Sequence, residues 1–334
     1  MSDPAIRLDR LSKRFRVNKR EGGLAPALRA LFRREWVEVE AVRELSFTIP
    51  RGQRVGFLGP NGAGKTTTLK LLAGLLHPSS GQAEVLGHQP ARREHAFLRS
   101  IALVMGQKRQ LSWDLPALDT FELLRVVFDI AKPVYLERLH ELSALLELDE
   151  VVRKPVRTLS LGERMKCEVV AALLHAPQVL FLDEPTIGMD VSMQLAMREF
   201  VREYNRRSGA TIVLTSHYME DVAALCERII VIDEGQLRFD GSIDALVRQV
   251  RPLRRVSVCA DVLPGAEQLA ALGNPIVIDG VRLELDVAPE RISEAVALLI
   301  GLPGSRDLAV ADAPLEEVMR ELFSRSDSKG APVP

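Results

Sequence analysis

Residues 59–67 read GPNGAGKTT and follow a short apolar run at 54–58. They fit G-x-x-x-x-G-K-[ST] at Gly59, Gly64, Lys65 and Thr66, with Pro60, Asn61, Gly62, Ala63 and Thr67 completing the loop. Glycines let a backbone curl until several N–H groups converge on one anion, and the positive end of a following helix adds to the field. The Lys65 ammonium would reach the β- and γ-phosphates of a nucleotide, and the Thr66 hydroxyl would ligate Mg²⁺. Far downstream, VLFLDEPT delivers Asp183 and Glu184 at the end of an apolar strand, where open α/β sheets bind their ligands. Asp183 suits the Mg²⁺ shell. Glu184, ionised at neutral pH, suits positioning or deprotonating an attacking water. Two acids at a strand end are common in isolation; paired with a phosphate loop they describe a phosphoryl-transfer site.

A third stretch, LSLGERMKCE, places Ser160 and Glu163 three apart ahead of the apolar run 169–174. That spacing is a capping box, and a helix start is also an anion site. Taken in order, the phosphate loop, LSLGE (159–163), VLFLDEP, GMD (188–190) and TSH ending in His217 resemble an ABC-type ATPase subunit over residues 5–245. Kinases and GTPases share the first piece and lack the rest. The resemblance implies a Mg-ATP hydrolase that works as a head-to-tail dimer. ATP would lie between Lys65 of one copy and Ser160, Leu161, Gly162 and Glu163 of the other. It also implies that Gln107 in VMGQK is the loop glutamine near Mg²⁺ and the coupling face. Asp190 would belong to the loop that crosses the dimer interface, and His217 would contact the γ-phosphate. Phe15 in LSKRF would stack on adenine; its alternative is a core aromatic lying near the surface. The usual signature has Gly and Gln where this chain has Leu161 and Glu163. A carboxylate beside a phosphate weakens attraction, so Glu163 is expected to turn back to its own helix start.

These residues need rigid supports. Apolar runs at 5–11, 41–49, 54–58, 179–185, 211–217 and 228–235 alternate with helical spacing, which predicts a parallel sheet covered on both faces. The fold expected is α/β, a P-loop ATPase core with a helical subdomain at about 108–175. Helical spacing over 118–148 is broken by Pro133. Between residues 18 and 36, a basic amphipathic helix interrupts the N-terminal strands; from Arg7 to Glu35 ten basic residues face three acidic ones. The first domain is expected over 1–247, followed by a basic, Pro-broken linker. Beyond it the order β-α-β-β-α-β over 255–324, with a hairpin signal at Asp279-Gly280, is the ferredoxin-like arrangement. The tail 325–334 is expected to be disordered.

Composition narrows the partners. With 334 residues the chain is long enough for two domains, and 47% hydrophobic with 27% charged residues marks it as folded. A net charge of −1 gives no global field toward nucleic acid. Cys167, Cys226 and Cys259 lack metal-ligand spacing and are expected to be buried thiols of a reducing compartment. No run approaches the roughly 20 apolar residues that span a bilayer, and no apolar leader is visible, so the expected place is the cytoplasmic face of the membrane. The resemblance is strongest to exporter subunits of the daunorubicin and viologen type, with permease subunits and a second copy (or paralogous ATPase) as partners. The insert is also similar to the extra N-terminal helix of polysaccharide-exporter ATPases, making lipid-linked glycan export a second candidate. Contact of the insert with the membrane surface is a further expectation, and a soluble ATP-driven switch is the alternative of another class.

Overall fold

The computed structural model describes residues 3–18, 36–106, 110–279 and 281–327. The chain divides into two compact units, with the boundary between Asp240 and Gly241.

In the first unit, β1 (Ile6–Asn18) and β2 (Trp36–Ile49) precede the site strand β3 (Arg54–Leu58), and β4 (Ser80–Val85) joins the first two in an antiparallel sheet of order β2-β1-β4. A six-stranded sheet adds β5 (Ile101–Met105), β6 (Val179–Asp183), β7 (Thr211–Thr215), β8 (Arg228–Asp233) and β9 (Gln236–Ser242), in the order β5-β6-β7-β3-β8-β9. Pairing is parallel from β5 through β8. β6 and β7 are buried along their whole length, which is why VLFLD and TIVLT read as continuous apolar runs. Helices α1 (Lys65–Leu72) and α2 (His95–Ser100) help close one core, in which Phe47, Phe57, Phe97 and Phe181 are buried together with Leu69 and Ile230. Next come α3 (Ala117–Val127), α4 (Lys132–Leu146) and α5 (Leu161–Leu173), the expected helical segment. α6 (Val191–Ser208) and α7 (Met219–Leu225) follow β6 and β7.

Two differences from the sequence reading are local. β1 and β2 extend to Asn18 and Trp36, beyond the expected 5–11 and 41–49. Their outer halves are joined on one face by Arg14–Glu40 (3.0 Å) and Arg16–Glu38 (3.1 Å) and on the other by Phe15 opposite Val39 and Val17 opposite Val37, an alternation that the sequence reading passed over. Apart from those two strand ends, the insert expected over 18–36 lies outside the described residues. The helical stretch 118–148 is interrupted as expected, at residues 128–131 between α3 and α4, and Pro133 stands in the first turn of α4, where a missing N–H costs nothing. Finally, Cys167 and Cys226 are buried, but Cys259 is only half-buried. Burial pushes both buried thiols up to about 12.

The second unit begins with α8 (Ile243–Val250), capped by Ser242 and burying Leu246, Val247 and Val250. The expected boundary at 247 and the linker at Arg248 therefore fall inside a helix; its one arginine, Arg248, and the basic, Pro-containing stretch just beyond it placed the linker too early. β10 (Arg254–Cys259), α9 (Ala266–Leu272), β11 (Asn274–Asp279), β12 (Arg282–Val287), α10 (Ile292–Ile300) and β13 (Arg306–Asp312) form an antiparallel sheet of order β11-β12-β10-β13. This is the split β-α-β-β-α-β arrangement, with Val256, Leu283, Leu285 and Leu299 in its core. α11 (Leu315–Asp327) runs past the expected end at 324; residues 328–334 lie outside the described residues. Glu317 of α11 binds Arg255 at 2.7 Å, and Asp286 binds Arg251 at 2.5 Å.

Candidate functional site

Gly59 begins the turn where β3 ends, and Lys65 opens α1. Gly62 (φ 85°) and Gly64 (φ 102°) are left-handed, which bends the loop so that its N–H groups turn inward. Gly64 is also pressed against β2: a Cβ there would lie 2.3 Å from the Ala41 carbonyl oxygen. Lys65 is buried, and its Nζ donates to the Gly59 and Pro60 carbonyls at 2.6 and 3.0 Å. Burial lowers its pKa, while Glu184 and Asp183 oppose that shift.

The acids arrive on β6. Asp183 faces Thr215 in the parallel register, and Thr215 Oγ1 donates to Asp183 Oδ1 at 2.7 Å. The other oxygen of Asp183 accepts from Thr66 Oγ1 at 2.9 Å. A hydroxyl and a carboxylate thus converge at the start of α1, a hard-oxygen donor set that fits Mg²⁺. Glu184 takes the left-handed backbone (φ 56°), a conformation that costs about 1–2 kcal/mol outside glycine. Its N–H is held by the Thr215 carbonyl and hydroxyl, both at 3.1 Å. The strained turn brings Glu184 Oε1 to 2.8 Å from His217 Nε2.

The capping box at Ser160 is formed. Ser160 Oγ accepts from Glu163 N–H at 3.2 Å, and Glu163 Oε2 accepts from Ser160 N–H at 2.8 Å. The Glu163 carboxyl lies below its ordinary range, chiefly because of that backbone hydrogen bond. Glu163 therefore points to its own helix start, and Ser160 remains exposed. Gly162 packs so closely on Met193 that a Cβ would meet its sulfur, and Leu161 lies over Gly188. Asp190 caps α6 by accepting from Met193 N–H at 2.8 Å. Hence the 159–163 segment and the 188–190 loop touch within one chain.

Phe15 is half-buried on β1 opposite Val39, with Lys13 Nζ 5.2 Å from its ring centroid. Two residues beyond Val39 is Ala41, the contact of Gly64. Gln107 lies outside the described residues. Sequence reasoning missed Thr215 as the partner of Asp183, and it gave no role to Asp221, buried beneath Ser216. Thr215 and Ser216 stand in the TSH stretch already singled out; their polarity at the end of a buried strand was the available signal.

Comparison with known proteins agrees with this geometry. The family profile described as ABC transporter matches residues 42–187. The chain is 33% identical to the daunorubicin resistance ATP-binding protein DrrA3 of Streptomyces coeruleorubidus, covering 86% of this chain and 82% of that one. It is 34% identical to the Nod factor export ATP-binding protein I of Ralstonia nicotianae, covering 72% of this chain and 74% of the relative. A solved ATP binding subunit of an ABC transporter superposes with a TM-score of 0.61 at 24% identity, over 73% of this chain and 92% of that one.

Proposed function

The chain belongs to the ABC transporter ATP-binding family and is an ATPase, and from that premise we propose that it powers export through separate membrane subunits. The observation that carries the chemical part is the Glu184–His217 contact beside Lys65, Thr66 and Asp183. The loop N–H groups and Lys65 bind the phosphates. Thr66 and Asp183 would hold Mg²⁺, with Gln107 assigned to the same ion by the family resemblance. Mg²⁺ supplies charge neutralisation of the phosphate oxygens. Glu184 accepts a proton from the attacking water, and His217 orients Glu184 and reaches the γ-phosphate. Phe15 stacks on adenine. Ser160, Leu161, Gly162 and Glu163 are offered to the nucleotide of a second copy, with Asp190 at the dimer interface. Hydrolysis between two copies makes closure and reopening of the dimer the force-bearing step.

Membrane coupling is supported by surface chemistry. No helix among the described residues is long and apolar enough to cross a membrane, whereas the helical segment exposes Leu115, Leu123, Val126 and Val127. An apolar patch of this kind marks a protein contact, and we assign it to the permease, placing the chain at the cytoplasmic face of the membrane. A drug-like or lipophilic substrate follows from likeness to the daunorubicin resistance protein. A lipid-linked glycan is the second reading, favoured by likeness to the Nod factor export protein.

The test is affinity purification of the Glu184→Gln protein, with ATP present, from gently solubilised native membranes. Turnover should be abolished, and one or two polytopic proteins should be recovered with an ATP-bound dimer. A protein found only in the soluble fraction with cytosolic partners would remove the exporter reading and leave a soluble ATP-driven switch.

A further inference from the structure

Asp221 of α7 is 1% exposed, yet its carboxylate is surrounded by donors from three other segments. Thr186 Oγ1 donates to Oδ2 at 2.5 Å and Ser216 Oγ at 3.0 Å, while Arg198 Nε donates to Oδ1 at 2.5 Å. Ser216 Oγ also accepts from Tyr218 N–H at 3.0 Å, so the turn containing His217 is tied on both sides. Thr186 is two residues beyond Glu184, and Ser216 directly precedes His217. Arg198 belongs to α6, the helix capped by Asp190. A buried carboxylate is costly unless each of its hydrogen bonds is kept, so the three segments are locked at one spacing. The Glu184–His217 contact of 2.8 Å spans the two loops that Asp221 ties together.

We propose that Asp221 is a positioning residue for hydrolysis: through Thr186 and Ser216 it fixes the separation of Glu184 and His217, and through Arg198 it links that separation to α6. It acts only through other side chains. The inference rests on the assignment of Glu184 and His217 to ATP hydrolysis, and it adds the element that sets their distance. A carboxylate that served the fold alone would lower stability without separating turnover from binding.

The test compares full-length Asp221→Asn and the double variant Thr186→Val/Ser216→Ala with wild type and Glu184→Gln. Asparagine turns an NH₂ group toward donors; the double variant keeps Asp221 and removes two of its partners, so it carries the test if Asp221→Asn fails to fold. ATP turnover, binding of a fluorescent ATP analogue and melting temperature are measured for each. In both variants kcat should fall about 100-fold with nucleotide affinity kept within about two-fold, the pattern of a reacting group displaced by roughly 1 Å. Wild-type kcat in the folded variants, or a fall in ATP affinity parallel to the fall in kcat, would each overturn the proposal. Full turnover by Glu184→Gln alone would overturn the assignment beneath it instead.

Discussion

Replacing Gly62 or Gly64 by alanine should have sharply unequal effects, although both sit in one loop and both have left-handed backbones. The shared penalty is the conformational one, about 1–2 kcal/mol for a residue with a Cβ. At Gly62 nothing else is added, since no atom lies within 4 Å of the new methyl group. At Gly64 the methyl would lie 2.3 Å from the Ala41 carbonyl oxygen, against an ordinary contact of 3.4–4 Å. Ala41 is backbone of β2, at the irregularity between the Lys13–Val42 and Arg14–Glu40 pairs, and Gly235 also packs on its carbonyl, its own Cβ position 2.9 Å away. Overpacking of this kind costs about 1–3 kcal/mol more. Gly64→Ala should therefore lose about 2–5 kcal/mol in total, and Gly62→Ala about 1–2. Urea unfolding measures the stability difference. Binding of a fluorescent ATP analogue should show the same order, because Gly64 is the cap from which α1 and Lys65 begin. Equal destabilisation by the two variants, or a larger loss at Gly62, would refute the packing of this loop against β2.

Two other perturbations follow from the charges. Glu163→Gln should leave ATP affinity within about two-fold of wild type, because the carboxylate is engaged with the Ser160 N–H and a glutamine can fill the same capping box; a several-fold gain in affinity would mean that the acid faces the nucleotide. In the second unit, Arg255 foremost and Arg251 hold the Glu317 carboxyl at about 2, below its ordinary 4.5. A depressed carboxylate pKa stabilises the fold above the unfolded value and loses that contribution as protons bind. The stability difference between wild type and Glu317→Gln, from urea unfolding at a series of pH values, should be full above pH 4.5 and fade toward pH 2; a pH-independent difference would show that the ion pairs are not its source.

Much of the site was legible because its chemistry is local. The loop 59–67 and the strand 179–183 each carry their meaning in consecutive residues, and Ser160 and Glu163 form the box their spacing announced. Residues whose role depends on distant partners were not legible. Asp221 is one of two adjacent acids in TSHYMED until the fold buries it against Thr186 and Arg198. The same holds for Thr215, which meets Asp183 only through sheet register. Secondary structure was misread at the outer ends of β1 and β2, where Phe15, Val17, Val37 and Val39 alternate with charged residues but are exposed or half-buried, and at α8, where a basic, Pro-containing stretch directly follows the helix. In the second unit the strands were readable from their alternation, since Val256, Val258, Leu283 and Leu285 face one core.

The burial of two of the three cysteines has a practical side. A thiol reacts as its thiolate, and with a pKa of about 12 that form is roughly one part in ten thousand at pH 8. Maleimide dyes and spin labels would pass over Cys167 and Cys226 in the folded chain. Replacing Cys259 alone should leave a background quiet enough for a single engineered cysteine. The closure proposed for the 159–163 segment on a second copy could then be tested as a distance between two probes in real time, with the native core untouched.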